Sequence, residues 1–151
     1  MSASAREPER TPGAPTRWHG AILAGGASRR FGRDKVFAEV AGHRLIDLAA
    51  ASLVDATGVT VLLGPQERSD LRAADLPRGA TALPDDVPGR GPLAGLATIL
   101  ARHPASWVAL LAADVPLVPP GWWARLAAAH REGAAAIVPR EAGGRREPLA
   151  A

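Results

Sequence analysis

Residues 21–35 read "AILAGGASRRFGRDK": an apolar run that breaks on two glycines, gathers three arginines and closes on a lysine. The run that leads into it, "HGAILA" at 19–24, is short for a helix, and it suits a strand buried on both faces of a parallel sheet. Glycine carries no Cβ, so Gly25 and Gly26 can turn backbone N–H groups inward and bring them close to an anion. Arg29, Arg30, Arg33 and Lys35 crowd the same loop. Repulsion among these cations is unfavourable unless an anion, a nucleoside triphosphate above all, offsets it. A tight turn with solvated arginines is the plainer alternative.

The lysine weighs against that alternative. Of the 18 Lys and Arg residues, Lys35 is the one lysine. Arginine presents a wide planar fork, whereas an ammonium is a compact point charge that enters between phosphate oxygens or sits near a metal. Lysine at this position, against an arginine background, points to a role that a guanidinium cannot fill.

Outward from this stretch the chain alternates. Residues 44–56, "RLIDLAAASLVDA", set Leu45, Leu48, Ala49, Ser52 and Leu53 on one helical face, and "VTVLLG" (59–64) follows as a β-branched strand ended by glycine. "PQERSDLRAADL" (65–76) predicts a short helix and "ATALPDD" (80–86) a short strand running into a loop. "PLAGLATILARH" (92–103) is a helix opened by proline, and "WVALLAAD" (107–114) is a strand. "PGWWARLAAAHREG" (120–133) reads as another helix and "AAAIVP" (134–139) as a last strand. Strand and helix in turn imply an α/β fold, a mostly parallel sheet with helices on both faces, in which ligands sit beyond the carboxyl ends of the strands.

The composition is that of one domain with a sizeable core: 151 residues, 47% hydrophobic and 22% charged. Residues 1–17 mix Pro, Ser, Glu and Arg, bury too little apolar surface to offset ordering entropy, and are expected to be a disordered tail ahead of a domain at 18–151. The net charge of +3 is spread along the chain without long blocks of like sign, which argues against a nucleic-acid partner. No apolar stretch reaches membrane-spanning length and no signal-peptide core precedes the domain, so a cytoplasmic protein without a membrane partner is expected. With no cysteine, disulfides, thiolate metal sites and a cysteine nucleophile are excluded.

Carboxylates follow two of the expected strands. Asp114 ends "WVALLAAD", at the same sheet edge as the glycine loop, and an oxygen ligand there suits Mg²⁺, which takes one or two carboxylates plus substrate phosphates. The alternative is an Asp that bonds the turn before Pro116. Asp85 and Asp86 lie in a proline-rich loop, where an Asx-turn also accounts for them. His19, His43, His103 and His130 are scattered singly and read as ordinary surface or satisfied positions. Trp122 and Trp123 read as helix packing, with stacking on a flat substrate as the other option.

In order and at appropriate separations, "LAGGASRRFGRDK" (23–35), "PDD" (84–86), "GRGPLAG" (89–95) and "LAADVP" (111–116) resemble the signatures of the molybdenum cofactor guanylyltransferases, MobA-like nucleotidyltransferases. The likeness runs from residue 18 to about 151. It implies a Rossmann-like three-layer nucleotidyltransferase domain of the glycosyltransferase A type, here without the family's C-terminal elements. It implies transfer of GMP from GTP to the terminal phosphate of molybdopterin, with release of pyrophosphate and with Mg²⁺ as cofactor. Carried over by position, Leu23, Ala24, Gly25 and Gly26 would line the nucleotide, Lys35 and Arg29 would meet its phosphates, Asp85 would hold the guanosine end, and Asp114 would bind Mg²⁺ and the nucleotide. Gly91 to Gly95 would form a helix-opening turn near the base. GTP and molybdopterin are the expected partners, and molybdoenzyme maturation proteins are further candidates. Related cytidylyltransferases tend to read LAAG where residues 23–26 read LAGG, which favours guanine. Leu62 stands where some relatives carry an asparagine that contacts the nucleotide. A cytidylyl- or sugar-nucleotidyltransferase, or a nucleotide-binding module without catalysis, are the alternatives.

Overall fold

The apolar run at 19–24 is the heart of a central strand, β1 (Trp18–Leu23). A computed structural model describes residues 15–24, 37–64, 75–86, 90–140, 143–144 and 146. After β1 come a two-stranded hairpin, β2 (Glu39–Val40) and β3 (His43–Arg44), and then α1 (Leu45–Ser52), β4 (Val59–Leu62) and β5 (Thr81–Leu83). The chain continues through α2 (Pro92–Arg102), β6 (Trp107–Ala112) and α3 (Trp122–Ala128). β1 pairs in parallel with β4 on one side and β6 on the other, and β5 extends the sheet beyond β4, in the order β5-β4-β1-β6. The chain therefore steps outward from β1 to β5 and then crosses back, through α2, to the far side of β1. The strand order reverses between β1 and β6, the place where open α/β sheets bind ligands.

Alternation along the strands divides the core into two layers. Ile22, Val61, Ala109 and Leu111 face α1 and α3, where they pack with Ile46, Ala49, Leu53 and Trp123. Ala21, Leu62 and Leu110 face the other way, against Ile99 of α2. Ile22, Ile46, Leu53, Leu62, Ile99 and Leu111 are among the largest fully buried side chains, each contributing about 2 kcal/mol by removal from water. Trp123 is 6% exposed and donates its indole N–H to the Ser52 carbonyl at 2.8 Å, tying α3 to the end of α1. Trp123 is thus a packing residue, and Trp122 packs partly buried against the same layer.

Two sequence expectations change. The buried stripe of α1 is centred on Ile46, Ala49 and Leu53, while Leu45, Leu48 and Ser52 flank it half-buried. The stretch 134–139 forms no strand; past it, among the described residues, lies an isolated bridge, Arg140 to Arg146. A strand exists through the ladder that a neighbour supplies, and none of the described residues pairs with "AAAIVP". The expected helix at 65–76 falls mostly outside the described residues, as does the expected tail up to residue 14.

At the amino end of the sheet, the His19 ring nitrogen Nε2 lies 2.9 Å from the Thr60 hydroxyl, which in turn lies 3.0 Å from that of Thr81. The His19 ring stacks on His103, just past the end of α2, with centroids 3.9 Å apart. Burial, and then the neighbouring His103, hold the His19 imidazole below its ordinary pKa.

Candidate active site

The four parallel strands end level with one another. Leu23 is in register with Leu62 on one side and Ala112 on the other, and Leu62 with Leu83. Beyond this line the chain is still held: Ala24 N–H donates to the Leu62 carbonyl at 2.9 Å, and Ala113 N–H donates to the Leu23 carbonyl at 3.1 Å. The exit of β1 is thus fixed by both neighbours. Leu23 is half-buried and Ala24 is 5% exposed, so these two form the floor of the edge. Gly25, Gly26, Arg29 and Lys35, which continue from that fixed exit, lie outside the described residues.

Asp85 and Asp114 each stand two residues past the end of a strand, β5 and β6, on opposite sides of β1. Three strand spacings separate those two strands, about 14 Å. That span is comparable with an extended nucleoside triphosphate. Asp114 is exposed, in the turn that Val115 N–H closes onto the Ala112 carbonyl at 3.0 Å. Among the described residues no three His, Cys, Asp or Glu side chains converge on a point. A single exposed carboxylate suits Mg²⁺ shared with substrate oxygens and water, and does not suit an all-protein cage.

Asp85 is the opposite case. It is 5% exposed, with Oδ1 close to the spot where a Cβ on Gly95 would lie. Burial, and then the adjacent Asp86 carboxylate, push its carboxyl above the ordinary carboxylate range. A carboxylate placed this way gains from any donor a ligand brings, since each N–H it accepts favours the charged form.

Gly91 caps α2 with φ 64° and ψ −155°, a backbone conformation essentially reserved for glycine, and Pro92 begins the helix. Gly91 to Gly95 form the cap and opening turn of that helix, as the sequence suggested, and Gly95 is buried beneath Asp85. Leu62, 1% exposed, belongs to the core and not to the site. Sequence reading missed Thr98, 2% exposed, whose hydroxyl accepts the Asp86 N–H at 3.0 Å. A polar residue in the apolar middle of "PLAGLATILARH" was the available signal.

The sequence profile of the family described as MobA-like NTP transferase domain matches residues 20–151. A probable molybdenum cofactor guanylyltransferase of Opitutus terrae is 38% identical over 137 residues, 87% of this chain and 64% of that protein. One from Deinococcus radiodurans is 39% identical over 117 residues, 78% of this chain and 57% of that protein. The chain spans less than two thirds of either relative's length. Among solved structures, molybdopterin-guanine dinucleotide biosynthesis protein A from Archaeoglobus fulgidus matches with a TM-score of 0.63 over 87% of this chain and 65% of that one. At 23% identity that is a likeness of fold.

Proposed function

Since the chain belongs to the MobA-like NTP transferase domain family, we propose that it transfers GMP from GTP to the terminal phosphate of molybdopterin. The observation that carries this reading is the pair Asp85 and Asp114, at one sheet edge on either side of the strand that precedes the cation-rich segment 25–35. A nucleotide laid across this edge has its base over β5 and its phosphates toward β6.

An oxygen of the acceptor's terminal phosphate attacks the α-phosphorus of GTP. The bond from that phosphorus to the β-bridging oxygen breaks, and its electron pair leaves with pyrophosphate. The attacking oxygen is already ionised, so no protein base is required. The chain contributes positioning and charge. The buried Asp85 carboxylate accepts N–H groups from the guanine edge. Lys35 and Arg29 neutralise phosphate oxygens, the lysine as a point charge among them. Asp114 is the residue that would hold Mg²⁺, which when bound offsets phosphate charge during transfer. The same reading puts the reaction in the cytoplasm, where molybdoenzyme maturation proteins would receive the product. Among the described residues no helix is long and apolar enough to cross a membrane.

The test is calorimetry with GTP and CTP, with and without Mg²⁺, followed by pyrophosphate release in the presence of molybdopterin. GTP preferred over CTP, with Mg²⁺-dependent release of pyrophosphate, is the expected result. A folded sample that binds neither nucleotide, or binds CTP as well as GTP, overturns it; binding without release would mark a binding module.

A further inference from the structure

α2 turns one face to the acidic pair. Gly95, Thr98 and Arg102 recur at helical spacing, and each meets a successive part of Asp85–Asp86. Gly95 leaves room for the Asp85 carboxylate, with 3.2 Å between its Oδ1 and the Cβ that glycine lacks. The Thr98 hydroxyl accepts the Asp86 N–H at 3.0 Å. Arg102 reaches Asp86 Oδ1 at 3.5 Å, a long, exposed contact that adds little.

The Thr98 bond falls on the peptide that joins the two acids. On its other side, Asp85 N–H donates to the Gly64 carbonyl at 2.9 Å. Both peptides flanking Asp85 are therefore fixed, one by Gly64 just past β4 and one by α2. With φ and ψ set, the direction of the Cα–Cβ bond is set, and the burial of the carboxylate against Gly95 limits rotation about the two side-chain bonds. Thr98 is almost fully buried between Ala94 and Ile99, where an apolar side chain would serve packing equally well. Its hydroxyl is the part that packing does not explain.

We propose that Thr98 is a positioning residue for base selectivity: by holding the Asp85–Asp86 peptide, it aims the Asp85 carboxylate so that both oxygens meet the guanine edge. This rests on the guanylyl-transfer reading above. A carboxylate that accepts from both guanine N1–H and the exocyclic amino group distinguishes guanine from hypoxanthine, which lacks that amino group. A carboxylate free to rotate accepts one bond from either base.

The experiment measures the ratio of ITP to GTP dissociation constants by calorimetry on the full chain, with thermal unfolding as the check on folding. The wild type is expected to favour GTP by about tenfold or more. Thr98→Val, which keeps the shape and removes the acceptor, brings the ratio to within about threefold of unity while ITP affinity stays near the wild-type value. Thr98→Ser restores the preference, and Thr98→Ala substitutes for the valine variant should that one not fold. A merely structural role lowers both affinities together and leaves the ratio intact, which overturns the proposal. Loss of the preference in Thr98→Ser overturns it as well. A wild type that does not favour GTP over ITP overturns the guanine reading itself, an outcome distinct from a wild-type preference that survives in Thr98→Val.

Discussion

Replacing Gly95 by alanine adds one methyl group at the tightest point of the candidate site. That Cβ would stand 3.2 Å from Asp85 Oδ1, 3.2 Å from Leu23 Cδ2 and 3.3 Å from Leu62 Cδ1. Each distance is a few tenths of an ångström short of a comfortable contact, so a neighbour must move. Leu62 is closed in by the core. Of the three neighbours, the Asp85 carboxylate is the one whose displacement bears on binding. For stability two effects oppose each other: alanine is favoured over glycine within a helix by about 1 kcal/mol, and overpacking costs about 1–3 kcal/mol. The net lies between no change and a loss of about 2 kcal/mol, too small to unfold the protein. Binding responds more sharply. A charge-assisted hydrogen bond lost from the base contributes about 1.5–3 kcal/mol, so GTP affinity falls by about tenfold or more. Urea denaturation and GTP calorimetry on the same sample separate the two effects. Near wild-type GTP affinity in a folded Gly95→Ala protein would refute the reasoning, because the displaced carboxylate would then have no part in binding.

Three further outcomes are expected. Lys35→Arg reduces turnover severely in a pyrophosphate-release assay although the charge is kept, because a guanidinium cannot take an ammonium's place among phosphate oxygens; unchanged turnover removes that role. Asp114→Asn abolishes the Mg²⁺ dependence of nucleotide binding and changes stability by less than about 0.5 kcal/mol, as suits an exposed side chain; unfolding with metal dependence retained would make Asp114 structural. His19, lowered by burial and by His103 and facing Thr60 and Thr81, binds its proton less tightly folded than unfolded. Unfolding then takes up a proton, so stability is full above the unfolded value of about 6.5 and declines as pH falls below it, by at most about 1.4 kcal/mol per unit. In His19→Gln, denaturation midpoints measured from pH 5 to 7.5 lose that slope; a slope that persists assigns it elsewhere.

Strand positions were legible because a parallel strand covered on both faces is a plain apolar run, and "AILA", "VTVLL" and "WVALLA" are such runs. The buried stripe of α1 was less so. Apolar residues surround most of that helix, and which of them turn inward depends on where the sheet lies, so Ile46 could not be told from Leu45 or Leu48. "AAAIVP" has the composition of a strand, but composition supplies no hydrogen-bonding neighbour. That Asp85 and Asp114 fall just past strands was readable from the runs before them. Thr98 was not, because its partner is a backbone amide twelve residues earlier, brought to it only by the way α2 packs across the sheet.

The strand order also bears on how the protein must emerge from the ribosome. Residues up to 64 supply the two inner strands, β1 and β4, and one covering helix, α1, while both flanking strands, β5 and β6, come later. Ala21 and Leu62 meet their apolar partner Ile99 only once α2 has been synthesised. Among the described residues, a nascent chain that ends before α2 thus leaves the Ala21 and Leu62 face of the sheet without Ile99 to cover it, and exposed apolar surface of this kind is what chaperones retain. That layer of the core closes only when the second half of the sheet's cover arrives, and a ribosome stalled short of residue 102 would present its apolar face to quality control.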